Sequence, residues 1–217
     1  MIKIKVLLIT KTVIILFLFS IFSYASEKIA NSPSDNPKET TTIDTKKDIK
    51  NRGGEFSLIG KTGWVNLSDF KGKVVAIYFG YTMCPDVCPT SLSFLSSAIN
   101  QLTSQQKKNF QSIFISVDPG RDTPDKLVEY VKFFDQDMIG LSAAPEDLDL
   151  VVAQYGAYYE KVSYSNSSLL YGIDHTSETY IVGKDGKLFA ILPHATPSAK
   201  ILKTILLAQS IKSAKIK

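Results

Sequence analysis

Ile77-Tyr78-Phe79-Gly80-Tyr81-Thr82-Met83-Cys84-Pro85-Asp86-Val87-Cys88-Pro89-Thr90 holds both cysteines of the chain. An unbroken apolar run, 74–79, enters this stretch, and a segment of helical character, about 89–102, leaves it. Two thiols four residues apart therefore sit at a strand-to-helix turn. A helix N-terminus favours negative charge and lowers the pKa of a thiol placed there. Across a first helical turn, Cα atoms four residues apart lie roughly 6 Å from each other, within reach of a disulfide. The pair can close as a Cys84–Cys88 disulfide when oxidised, or present two thiolates to one soft metal ion.

Outward from this turn, the chain reads as one domain with extensions. Its 217 residues and ordinary hydrophobic content suit a single core. Two cysteines are too few for a disulfide-stapled scaffold, and their close spacing points to redox or metal chemistry. The three lysines of residues 1–25, Lys3, Lys5 and Lys11, account for all but one of the four net positive charges. The remainder is near neutral and lacks a basic, aromatic-laced patch, which argues against nucleic-acid binding.

Residues 1–25 form a basic lead followed by a nearly apolar run, 12–25, and are expected to be a membrane anchor or a signal peptide. Ser23-Tyr24-Ala25 offers a peptidase the small residues it needs. Lysines ahead of the apolar run predict a cytoplasmic N-terminus and a domain on the other side of the membrane. Residues 26–54 are polar, contain Ser32-Pro33-Ser34-Asp35-Asn36-Pro37 and no aromatic residue, and read as a flexible tether. The domain is expected over 55–210, followed by a basic tail, 211–217.

Within the domain, 55–58 and 64–67 predict an N-terminal hairpin around Gly60-Lys61-Thr62-Gly63. Residues 74–79 predict a strand buried on both faces, and 112–117 a second one. Thr123 is placed to cap a helix that Pro124 opens. A further helix spans 145–155 and is stopped by Gly156. Strands at 179–182 and 188–192 flank Gly183-Lys184-Asp185-Gly186, and a closing helix covers about 199–211. This order predicts an α/β domain, a central mixed sheet flanked by helices with an N-terminal hairpin extension. Paired cysteines at the first strand-to-helix turn make it the thioredoxin-like plan.

A metal at the cysteines needs a further ligand, and the chain has two histidines. His175, in the polar stretch Gly172-Ile173-Asp174-His175-Thr176-Ser177, is expected in a loop just before the strand 179–182, where this fold brings it beside the cysteine turn. Two thiolates and one imidazole suit Cu(I) best and accept Cu(II) with an added ligand. His194, after Pro193, is read as a surface or capping residue, and Met83 as packing beside a strand end. Asp118, with Arg121 and Asp122, lies in Ser116-Val117-Asp118-Pro119-Gly120-Arg121-Asp122-Thr123-Pro124, on the same rim as the cysteines. Turn formation and helix capping account for Thr123 and Pro124. They leave Asp118 to orient a ligand, adjust the charge at a metal, or meet a partner.

Three stretches together resemble the Sco/SenC family: Gly80-Tyr81-Thr82-Met83-Cys84-Pro85-Asp86-Val87-Cys88-Pro89, then 116–124, then Asp174-His175-Thr176 before Thr179-Tyr180-Ile181. The resemblance covers about residues 55–210, with Gly120 standing where the family commonly has a larger polar residue. It implies a thioredoxin-fold, membrane-anchored copper protein that helps assemble the binuclear copper centre of cytochrome c oxidase. It implies Cys84, Cys88 and His175 as ligands of one copper ion per domain, Cu(I) or Cu(II), with Asp118 as a helper. The implied partner is the copper-bearing oxidase subunit. The expected location is the inner (cytoplasmic) membrane, with the domain on the periplasmic or equivalent extracytoplasmic side. The leading reading is a copper metallochaperone rather than an enzyme. The alternative is a thiol–disulfide reductase that keeps the oxidase subunit's cysteines reduced, with Cys84 attacking and Cys88 resolving.

Overall fold

The computed structural model describes residues 49, 51–163 and 171–211. The expected anchor, nearly all of the tether and most of the basic tail lie outside these residues. Among the described residues, no helix is long and apolar enough to cross a membrane.

The sheet is built on β3 (Val74–Gly80), all seven of whose residues are buried. Such a strand must be paired on both edges and covered on both faces. It pairs in parallel with β4 (Phe110–Ser116) and antiparallel with β8 (Thr179–Val182). β5 (Ile139–Leu141) and β9 (Leu188–Leu192) complete a five-stranded sheet in the order β5-β4-β3-β8-β9. The predicted hairpin is present as β1 (Ser57–Gly60) and β2 (Gly63–Asn66). It extends the sheet beyond β5 through reciprocal backbone bonds, both 2.9 Å, between Ile59 and Ser142.

Side chains of β3 alternate between the two layers. Phe79 meets Tyr155 and Tyr180 edge-on at 5.8 and 5.5 Å. Tyr155 ends α4 (Pro145–Tyr155), one of the covering helices. On the opposite face Tyr78 reaches α1 (Val87–Asn100) and donates its hydroxyl to the Val87 carbonyl at 3.3 Å. The closing helix, α5 (Ser198–Ser210), packs on α1 and over β3, β8 and β9. Between α1 and β4 lies a short helix, α2 (Ser104–Lys108), and α3 (Pro124–Lys132) packs on β5. Thr123 caps α3 by accepting from the Lys126 amide at 3.4 Å, with Pro124 in the first turn as predicted.

Three features depart from expectation. Ordered packing starts before residue 55: the Gly53 amide donates to the Gln154 carbonyl at 2.8 Å, and the Tyr155 hydroxyl to the Gly54 carbonyl at 3.0 Å. α2 and β5 are absent from the sequence reading, being only five and three residues long. The stretch around His175 is not a loop. It forms β7 (Tyr171–His175), paired antiparallel with β6 (Tyr159–Ser163), and His175 faces Tyr159 across the ladder. The buried residues of β7, Gly172 and Ile173, stand side by side and β6 has none fully buried, so apolar alternation is weak.

Gly156 stops α4 in the left-handed region, at φ 65°. A Cβ there costs about 1–2 kcal/mol, and it would stand 2.9 Å from Arg52 Nε. Gly156→Ala is expected to lower unfolding free energy by about that amount in urea titration, with the m-value unchanged.

Candidate metal centre

The sheet pairing delivers three remote stretches to one rim. β3 and β4 run parallel, so the cysteine turn and the 117–123 loop leave the same end of the sheet. β8 runs antiparallel with Thr179 opposite Tyr78, so residues 175–178 arrive at that end too.

The turn is fixed by buried polar contacts. The Cys84 amide donates to the Tyr81 carbonyl at 3.1 Å. Asp122, only 1% exposed, accepts from the Thr82 amide at 2.9 Å, the Thr82 hydroxyl at 2.6 Å and the Ser116 hydroxyl at 2.7 Å. This clamp between two rim loops is a positioning role that the sequence reading did not assign to Asp122.

Cys88 lies in the first turn of α1, where amides lack intrahelical acceptors. The residue before the helix, Asp86, makes no side-chain cap. The Cys84 sulfur serves instead, accepting from the Cys88 amide at 3.4 Å. Gly80 lies beneath the second thiol: a Cβ on it would come within 2.7 Å of Cys88 Sγ and 2.9 Å of Phe114. No other residue fits there without displacing the sulfur.

His175 completes the group. Its Nε2 lies 3.3 Å from Cys88 Sγ, and its Nδ1 lies 2.8 Å from the Thr176 carbonyl. A carbonyl only accepts, so Nδ1 carries a hydrogen, and Nε2 is the ring nitrogen that faces the thiols. The ring is oriented edge-to-face by Tyr81 at 5.7 Å and Tyr78 at 6.4 Å. One ligand atom from each of Cys84, Cys88 and His175 lies within 4.8 Å of the other two. This is the only such group of histidine, cysteine and acidic side chains found among the described residues.

The two thiols differ electrically. The Cys88 side chain beside it, then the His175 side chain and the amides of Cys88 and Asp86, together outweigh burial and hold the Cys84 thiol well below the ordinary cysteine range. Burial, together with the Cys84 sulfur beside it, pushes Cys88 well above that range. At neutral pH the pair therefore holds one proton, on Cys88, between the Cys84 sulfur and the imidazole. A soft cation in the place of that proton would engage all three lone pairs.

The other rim residues fall outside this group. Asp118 is wholly buried; it pairs with Arg121 and accepts from the Tyr171 hydroxyl at 2.8 Å. Its carboxylate is thus turned inward. His194 is exposed and bonds the Ser91 hydroxyl through Nδ1 at 2.9 Å, in keeping with a surface role. Met83 does not pack: it is 45% exposed, because the turn closed by Tyr81 and Cys84 points its side chain outward.

Comparison with known proteins agrees with this geometry. The SCO1/SenC family model matches residues 44–208. A SCO2-like protein of Rickettsia prowazekii is 39% identical over 136 residues, which are 62% of this chain and 66% of that protein, just under two thirds of its length. The apo Sco1 solution structure from Thermus thermophilus is 36% identical, with a TM-score of 0.65, covering 72% of this chain and 91% of that one. A copper-bound ScoI structure from Arabidopsis thaliana is 33% identical, with a TM-score of 0.64, covering 72% and 96%.

Alkylation by iodoacetamide is expected to label Cys84 before Cys88 at pH 7. Because the Cys84 thiol is held low, its rate should persist as pH falls through and below the ordinary thiol range of about 8.5, and drop only in acid. Cys88→Ala removes the donor, so the midpoint of the Cys84 pH–rate profile should move up. An unchanged midpoint would show that Cys88 is not the cause.

Proposed function

The chain belongs to the SCO1/SenC family, and from that premise we propose that it is a copper metallochaperone whose Cys84, Cys88 and His175 hold one copper ion. The observation that carries this is the pair of sulfurs and the imidazole lone pair converging within 4.8 Å. The donor set, together with the family, favours copper. Iron–sulfur clusters usually take four cysteine ligands, and the chain has two cysteines. A structural zinc site wants four protein ligands, and the group found among the described residues has three. Two soft thiolates with one imidazole match Cu(I), and a further donor would extend the site to Cu(II).

The residues divide the work. Cys84, already a thiolate and at the rim, meets incoming copper first. Cys88 gives up its proton as its sulfur takes the ion, and His175 closes the triangle with Nε2. Release reverses the order, as each ligand is replaced in turn by a ligand of the acceptor. The family resemblance supports the copper-bearing subunit of cytochrome c oxidase as the acceptor. The apolar, lysine-led N-terminus supports anchorage in the inner membrane with the domain on the extracytoplasmic side.

The unequal thiols favour a second reading, a thiol–disulfide reductase. A stabilised Cys84 thiolate would attack a substrate disulfide and Cys88 would resolve it. The reduction potential of the Cys84–Cys88 pair separates the two readings. A potential too oxidising to reduce the oxidase subunit's cysteines rules this second role out.

The reduced protein is expected to bind one copper ion, and Cys84→Ser, Cys88→Ser and His175→Ala each to weaken binding by at least about 10-fold. Uptake at pH 7 should release about one proton per ion, since only Cys88 retains one. Unchanged copper spectrum and affinity in His175→Ala would overturn the ligand set.

A further inference from the structure

His175 reaches the thiols from a strand that the main sheet does not hold. Among the described residues β7 pairs only with β6, in a two-stranded sheet of its own. An isolated hairpin is marginal in water, so its position must be fixed by other contacts.

Ile173 is buried in the core, and the polar contacts come from the 118–121 loop and Tyr81. The Tyr171 hydroxyl donates to Asp118 Oδ1 at 2.8 Å. Arg121, paired with the other oxygen of Asp118, lays its guanidinium over the Tyr171 ring, 3.7 Å from the centroid. Its Nη1 donates to the Tyr171 carbonyl at 3.0 Å. Lys161 of β6 also stacks on the Tyr171 ring, with Nζ at 4.8 Å. Two residues along β7, the Ile173 amide donates to the Tyr81 hydroxyl at 3.4 Å, and the Tyr81 ring meets the His175 imidazole. The Arg121 guanidinium also lies 5.7 Å from the Tyr81 ring.

A buried ion pair adds little net stability, but it fixes geometry. This one fixes the start of β7, four residues before His175. We propose that Asp118, Arg121 and Tyr171 are positioning residues that set the placement of His175 against the two thiols, and through it the affinity of the metal site. The proposal rests on the metal-site reading above. It gives Asp118 a role exerted through the hairpin rather than through contact with the metal or a partner.

The test is a set of double-mutant cycles on the reduced full chain, with Cu(I) affinity read by competition with a chromogenic chelator. Arg121→Met, Tyr171→Leu and His175→Ala are compared alone, and each of the first two is combined with His175→Ala. Tyr171→Leu keeps the Asp118–Arg121 pair intact, so it decides the matter if Arg121→Met does not fold. Each single variant should weaken Cu(I) binding by about 10-fold, with little further loss once His175 is alanine. The alkylation rate of Cys84 should stay at the parent value. Equal losses with and without His175 would overturn the proposal, because the residues would then act on the thiols or on the fold. So would unchanged affinity in both single variants alongside a weakened His175→Ala. If His175→Ala binds as tightly as the parent, the metal-site reading itself falls, and this inference with it.

Discussion

The backbone ladders on the two edges of β3 set the geometry of the site. One edge pairs in parallel and the other antiparallel. Loops far apart in sequence are thereby turned toward a single rim: the cysteines follow one strand, the Asp118 loop follows the next, and His175 precedes the third. Burial of all seven β3 residues makes the register costly to change, since a one-residue slip would exchange its two faces. Gly80, the last of them, then lies directly under Cys88. The strand that organises the core also sets the height of the second thiol.

Local electrostatics do the rest at the turn. The start of α1 lacks a side-chain cap, and the Cys84 sulfur takes that place. Helix dipole, amides and the neighbouring thiol all favour charge on this one sulfur. Burial denies a second charge to Cys88. A fully solvated pair would show no such division. The result is a site in which one proton stands where a cation could, with the imidazole Nε2 as the third donor beside the two sulfurs.

Much of this was legible in the chain, for identifiable reasons. Long apolar runs, 74–79 and 112–117, declare buried strands, and the Gly156 and Thr123-Pro124 signals declare helix ends, because burial and capping leave local marks. The cysteine spacing announced its chemistry, and the choice between two histidines, with the fold plan, pointed to His175, as the resemblance also implies. The strand that carries His175 was not legible. Its two buried residues, Gly172 and Ile173, are adjacent rather than alternating, and it pairs only across the hairpin, so neither period stands out. Asp122 and Asp118 were visible only as acids in a turn. Their contacts run to Thr82 and Tyr171, 40 and 53 residues away, and no local pattern encodes partners at that distance. Met83 was misread because a tight turn, not strand packing, decides where it points.

The separateness of the β6–β7 hairpin carries a consequence for motion. Cooperative units of a protein open independently when few backbone bonds join them. The thiols belong to the unit built on β3, with its ladders on both edges, and the imidazole belongs to one joined mainly through Tyr171 and Tyr81. Amide hydrogens of the hairpin can exchange through a sub-global opening that leaves β3 protected. In that excursion the three-donor set becomes the cysteine pair alone, at the cost of the buried contacts of Ile173. On the metal-site reading, such an opening would let a bound ion exchange one donor without unfolding the sheet.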